Sequence, residues 1–171
     1  MADRVVENES VEVPEIPESL EKVLLFALDE AKAKMTHPDD MVDPFTCLVI
    51  KDNMFIESHP GDSAEECFNF AKHTVNGARG AEAYGFAYDG YVETDDGMMD
   101  ALIAEGGVPG EESGFAICYL YEIEEDGKVV YEDEPAYVGE APNFMCDLKD
   151  ADEYSDDEID EKYLEEEEAE L

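Results

Sequence analysis

Residues Ala81–Glu105 read AEAYGFAYDGYVETDDGMMDALIAE, and this stretch decides the fold. Two strand-like runs, Ala81 to Glu93 and Met98 to Glu105, flank Thr94-Asp95-Asp96-Gly97, whose Asp-Gly pair suits a tight hairpin turn. A Gly/Pro loop from Gly106 to Gly114 then leads into Phe115 to Glu124, and Asp126-Gly127 turns the chain into Lys128 to Tyr131. The result is an antiparallel meander. In its third strand Phe115, Ile117, Tyr119, Tyr121 and Ile123 recur with a period of two and mark a core face. Ala83, Gly85 and Ala87 leave one face of the first strand nearly bare, so a helix can pack closely there.

Upstream, Glu18 to Met35 places Leu20, Leu24, Ala27, Ala31 and Met35 at helical spacing, and the Thr36-His37-Pro38 stretch ends it. Phe45 to Ile50 and Met54 to Glu57 read as two strands joined at Asp52-Asn53. A second helix opens at Pro60-Gly61-Asp62, with Asp62 as N-cap and Glu65 in capping-box position. Ala64, Cys67, Phe68, Ala71, Val75 and Ala78 form its apolar stripe.

The order α-β-β-α-β-β-β-β predicts an α+β domain: an antiparallel sheet of five to six strands with two amphipathic helices packed on it. This order resembles that of profilin-like and roadblock-type domains, where the first hairpin and the later meander join into one sheet. The likeness is one of topology, carried by no motif residue, and it implies no activity. The expected organisation is an acidic flexible leader over 1–17, one domain over 18–146, and a disordered acidic tail over 147–171 ending in the run Glu165 to Glu168. Tyr154, Ile159, Tyr163 and Leu164 fall roughly on one helical face, which a partner could order.

Charge sets the partners. The 171 residues carry 48 Asp and Glu against 10 Lys and Arg, a formal net charge of −38. Residues 1–18 contribute −5 and residues 147–171 contribute −12, so −21 remains on the middle and the tails alone do not explain the total. Such a chain is repelled by free nucleic acid and by anionic membrane surfaces, and it favours basic proteins, cations or a salty solvent. The acidic first residues, without an apolar run, lead us to expect a cytoplasmic protein with no membrane segment. Cys47, Cys67, Cys118 and Cys146 stand singly, without CxxC spacing, and read as reduced thiols, three of them in apolar stretches.

No catalytic or cofactor-binding residue can be named. The three histidines, His37, His59 and His73, lack metal-ligand spacing, and Gly106, Gly107 and Gly110 sit between strands beside acids, unlike a phosphate loop. The sharpest candidate is a carboxylate cluster. With Asp96-Gly97 as the hairpin loop, Glu93 faces Asp100, Tyr91 faces Leu102 and Asp89 faces Ala104, which puts Asp89, Glu93 and Asp100 on one sheet face. Like charges opposed in this way call for a bridging cation, Ca²⁺ or Mg²⁺, or a proton; the plainer reading is a solvated acidic face. Glu82, Asp100 and Glu105 interrupt strand-like sequence and are candidates for partial burial. The row Tyr84, Phe86, Tyr88 beside the row from Phe115 to Ile123 forms either core or a ligand groove, core being the commoner outcome.

Three functional expectations follow. The first is a small non-enzymatic binding domain that engages a basic protein partner, including by imitating nucleic-acid charge. The second is a divalent-metal-dependent hydrolase centred on Asp89, Glu93 and Asp100. The third is a surface whose acidity is an adaptation to high salt.

Overall fold

The computed structural model describes residues 4–5, 16–36, 43–51, 53–59, 63–94, 97–150, 153–155 and 157. Within them the chain runs β1 (Arg4–Val5), α1 (Glu18–Lys34), β2 (Phe45–Ile50), β3 (Asn53–Ser58), α2 (Ala64–Asn76), β4 (Ala81–Thr94), β5 (Gly97–Gly107), β6 (Ser113–Ile123), β7 (Val129–Tyr131) and β8 (Ala136–Pro142). All eight strands belong to one sheet, ordered β3-β2-β4-β5-β6-β7. β8 adds to the first half of β6, and β1 lies parallel to the far end of β4. The first hairpin therefore joins the meander through β2 and β4, with Phe45 opposite Ala87 and Leu48 opposite Tyr84. An α+β antiparallel architecture is the outcome.

The two helices cover opposite faces. On α1, Leu20, Val23, Leu24, Ala27, Leu28 and Ala31 are fully buried. They pack with Phe45, Cys47, Ala83, Ala87, Leu102, Ala104, Ile117 and Tyr119. The bare stripe on β4 is what lets α1 come close: a Cβ at Gly85 would meet the Val23 carbonyl oxygen at 3.3 Å and the Ala27 Cβ at 3.6 Å. Each buried Leu or Val contributes on the order of 1.5–3 kcal/mol. The exposed Lys22–Glu18 pair one turn apart adds little by comparison, so α1 is held by its stripe.

The other face packs Leu48, Ile50, Tyr84, Phe86, Tyr88, Ile103 and Cys118 against Ala71 and Val75 of α2. The chain after β8 completes this layer. Phe144 stacks on Tyr84 with ring centres 5.4 Å apart and meets Phe68 of α2 edge-on at 5.1 Å. Asn143 fastens the segment by donating from Nδ2 to the Val108 and Glu111 carbonyls, at 2.8 and 2.7 Å.

Several local expectations are corrected. The first hairpin pairs Ile50 with Asn53, so its turn begins one residue earlier than expected, at Lys51, which adopts φ 51°. α2 is capped by Ser63, whose hydroxyl accepts from the Glu66 N–H at 3.1 Å; the same cap spacing is displaced by one from the Asp62 expected, and Asp62 lies outside the described residues. In the β4–β5 hairpin the closing pair is Thr94 with Gly97, which slides the register by two: Glu93 faces Met98, Tyr91 faces Asp100 and Asp89 faces Leu102. Arg4–Val5, inside the expected leader, joins the sheet. Leu148 and Tyr154 pack against the α2 layer, so the packed chain passes the boundary expected at residue 146. Ile159, Tyr163 and Leu164 lie outside the described residues. Among the described residues no helix is long and apolar enough to cross a membrane.

Candidate functional site

Three polar groupings emerge once the register is known. The first lies at the β2–β3 edge. Thr46 is fully buried, and its Oγ1 stands 2.9 Å from Nε2 of His59, itself 4 % exposed. His59 Nδ1 is 3.9 Å from the Glu57 carboxylate, which also accepts a bond from Thr74 of α2 at 3.2 Å. Hydroxyl, imidazole and carboxylate in this order have the composition of a nucleophile, a base and its orienting acid. Burial rules out that chemistry here: a hydroxyl with no exposed surface meets no substrate. The group instead ties β2, β3 and α2 together, and burial pushes the His59 pKa below its usual value despite the opposing pull of Glu57.

The second is inside the sheet. Glu105 on β5 is fully buried on the α2 side and accepts a 2.7 Å hydrogen bond from the Tyr88 hydroxyl. Of the three acids expected to be partly buried, Glu105 is the one that enters the core; Glu82 and Asp100 are exposed.

The third stands where α1 stops covering its face. Beyond Ala87 and Leu102 that face continues as Asp89, Tyr91 and Glu93 on β4 and as Asp100 and Met98 on β5. The two-residue slip preserves parity, so Asp89, Glu93 and Asp100 share one face, with Asp100 opposite Tyr91 and diagonal to both other acids. The Tyr121 hydroxyl donates to Asp89 Oδ1 at 2.7 Å. Partial desolvation raises the Asp89 carboxyl above the ordinary carboxylate range; the Tyr121 bond opposes the rise and the Asp100 charge adds to it. Among the described residues no group of three His, Cys, Asp or Glu side chains stands close enough together to hold a metal ion.

Next to this face the β5–β6 ladder stops. Its last pair is Ala101 with Leu120, and beyond it Tyr121, Glu122 and Ile123 pair with β7 on the other side of β6. A notch of about 450 Å³ opens between the strand ends, lined by Met98, Met99, Asp100, Tyr121, Glu122 and Ile123. Sequence reasoning found Asp100 and missed the notch, because the end of a ladder leaves no mark in the period of either strand.

The remaining candidates resolve plainly. The two aromatic rows lie on opposite faces: Tyr84, Phe86 and Tyr88 pack on the α2 side, whereas Ile117, Tyr119 and Tyr121 pack on the α1 side. They enclose no common groove, because β4 and β6, with β5 between them, turn the rows to opposite faces of the sheet. Cys47, Cys67 and Cys118 are buried, Cys146 is exposed, and all four are free thiols. Burial raises the pKa of Cys47 and of Cys118 to about 12. His73 is exposed on α2, and His37 lies outside the described residues. Lys32 sits over the Tyr119 ring at 4.0 Å, Lys34 over Phe45 at 4.3 Å and Lys149 over Tyr154 at 4.7 Å. No family model matches the chain, and neither a curated protein nor a solved structure matches it.

Proposed function

We propose that this chain is a small, acidic, non-enzymatic binding domain that engages a basic protein partner through its surface. The placement of charge carries this reading. Three of its few lysines, Lys32, Lys34 and Lys149, rest over aromatic rings, while exposed acids line both helices, the turns and the sheet edges. Those carboxylates face solvent and offer long-range attraction to a cationic protein. Imitation of a duplex needs acids gathered on one face, and this spread supports a basic protein partner instead. Affinity capture from the host lysate with the full chain, washed at low and then moderate salt, tests the reading. A stoichiometric basic partner retained at moderate salt is the expected result; loss of every captured protein at moderate salt rejects it.

The same abundance of exposed acids favours a second reading, adaptation of the surface to a salty solvent in which self-repulsion is screened. Melting followed from low to molar KCl separates the two. A steep rise in Tm supports adaptation, and a flat profile leaves the acids to a partner.

A further inference from the structure

The sheet is open at β3, and we infer that this strand pairs antiparallel with β3 of a second copy of the chain, joining two sheets across a two-fold axis at Phe55. The inference goes beyond the binding-domain reading, since it concerns a part of the surface away from the dense acids. β3 heads the strand order, and among the described strands none pairs with its outer side. Two residues separate the closing pair Ile50 and Asn53, which therefore exchange both backbone bonds, and alternation turns the peptide groups of Asn53, Phe55 and Glu57 towards β2. The N–H and C=O groups of Met54, Ile56 and Ser58 point outward. Pairing with β2 is unbroken over all six residues, and β3 holds no Pro, no Lys and no bulge, the devices that blunt an edge.

Charge names the occupant. Residues 44–80, which hold β2, β3 and α2, carry five acids and three bases, −2 of the total −38, and β3 itself has one acid, Glu57. At the other end of the sheet, residues 122–140 carry eight acids and one base. A basic partner finds little to hold at β3, and a second copy meets least repulsion there. The side chains fit the same occupant. On the α1 side Met54 packs at the margin of the core and Ile56 is 45 % exposed. With the axis at Phe55, Met54 of each copy opposes Ile56 of the other, so four apolar side chains gather on one face and cover one another. An axis at Ile56 instead sets Met54 against Ser58 and Phe55 against Glu57. On the α2 side Phe70 is 47 % exposed, one turn from Thr74, whose hydroxyl bonds Glu57 of β3. That places Phe70 on the flank of α2 nearest the join.

The test is sedimentation equilibrium of the full chain from about 5 to about 200 µM, with amide exchange followed residue by residue at both ends of that range. We expect a monomer–dimer equilibrium that tightens as KCl rises, because screening removes the repulsion between two copies of −38 and leaves the apolar contact. The amides of Met54 and Ile56 should slow about tenfold on dimerisation, more than those of Phe55 and Glu57, which β2 already holds. Ile56→Glu alters a side chain that is exposed in the monomer, and it should weaken the dimer about tenfold with the Tm of the dilute monomer unchanged. A chain that stays monomeric at about 200 µM in every salt overturns the inference. So does a dimer of the unaltered chain whose slowed amides lie elsewhere, or one that a folded Ile56→Glu variant forms equally well. None of these outcomes touches capture of a basic partner.

Discussion

Tyr121 on β6 donates its phenolic hydrogen to Asp89 on β4 across 2.7 Å, although β5 lies between the two strands. The bond clamps three strands at the point where the helix cover ends. Tyr121→Phe removes the donor and leaves Asp89 beside Asp100 without it, at a cost of about 1 kcal/mol given how much of Asp89 meets water. Because the lost bond opposed the rise, the Asp89 pKa moves further up. The raised pKa means that the folded state binds a proton more readily than the unfolded state. The favourable contribution of this site is therefore complete at acid pH and is lost as pH rises through the folded pKa. Carboxyl NMR titration of both proteins checks the shift, and an Asp89 pKa that falls or stays put in Tyr121→Phe refutes it.

His59 gives the opposite pH dependence. Its lowered pKa makes the folded state bind fewer protons, so its contribution is present above the unfolded value of about 6.5 and is lost as pH falls below it. Acidification also relieves repulsion among the many carboxylates, which hides the step in the wild type alone. The difference in urea stability between wild type and His59→Gln isolates it, and that difference should narrow from pH 7.5 to pH 5.5. Thr46→Val should cost about 1–3 kcal/mol at neutral pH by leaving a buried imidazole nitrogen without its hydroxyl.

The seat of α1 on β4 depends on Gly85. A valine there must displace the Val23 backbone or the Ala27 methyl group, and we expect a loss of about 1–3 kcal/mol. Denaturant midpoints with unchanged slopes are the readout. A neutral substitution would show that α1 is seated elsewhere.

Thiol accessibility follows from burial. Ellman titration of the native chain should show one fast thiol, Cys146, with Cys47, Cys67 and Cys118 reacting on unfolding. Cys146→Ser should abolish the fast phase, and more than one fast equivalent contradicts the packing of the sheet.

The helices and the meander were legible in the sequence because their apolar periods are long and clean. Ala83, Gly85 and Ala87 even foretold where a helix would sit. Register was harder: Thr94-Asp95-Asp96-Gly97 accommodates its two-residue loop at either of two places, and Gly97 serves as the closing partner of Thr94 at φ 104°. The faces shared by the two aromatic rows depended on the residue count through the Gly/Pro loop before β6, which no local pattern fixes. β8 escaped notice because Ala136–Pro142 has weak alternation and its pairing shifts register between Ala116 and Ile117. β1 offered two residues and no period at all. The charged face of Asp89, Glu93 and Asp100 was legible by parity alone, while the Tyr121 bond required knowledge of a strand 32 residues away.

The central position of β4 has a consequence for the order of synthesis. α1 and β2, which both pack on it, are made before it, so a growing chain must carry the finished apolar stripe of α1 without its seat until residues 81–94 have left the ribosome. Through that interval the acids already translated keep neighbouring nascent chains apart by repulsion. The surface charge thus protects the molecule before it has a fold to display it on.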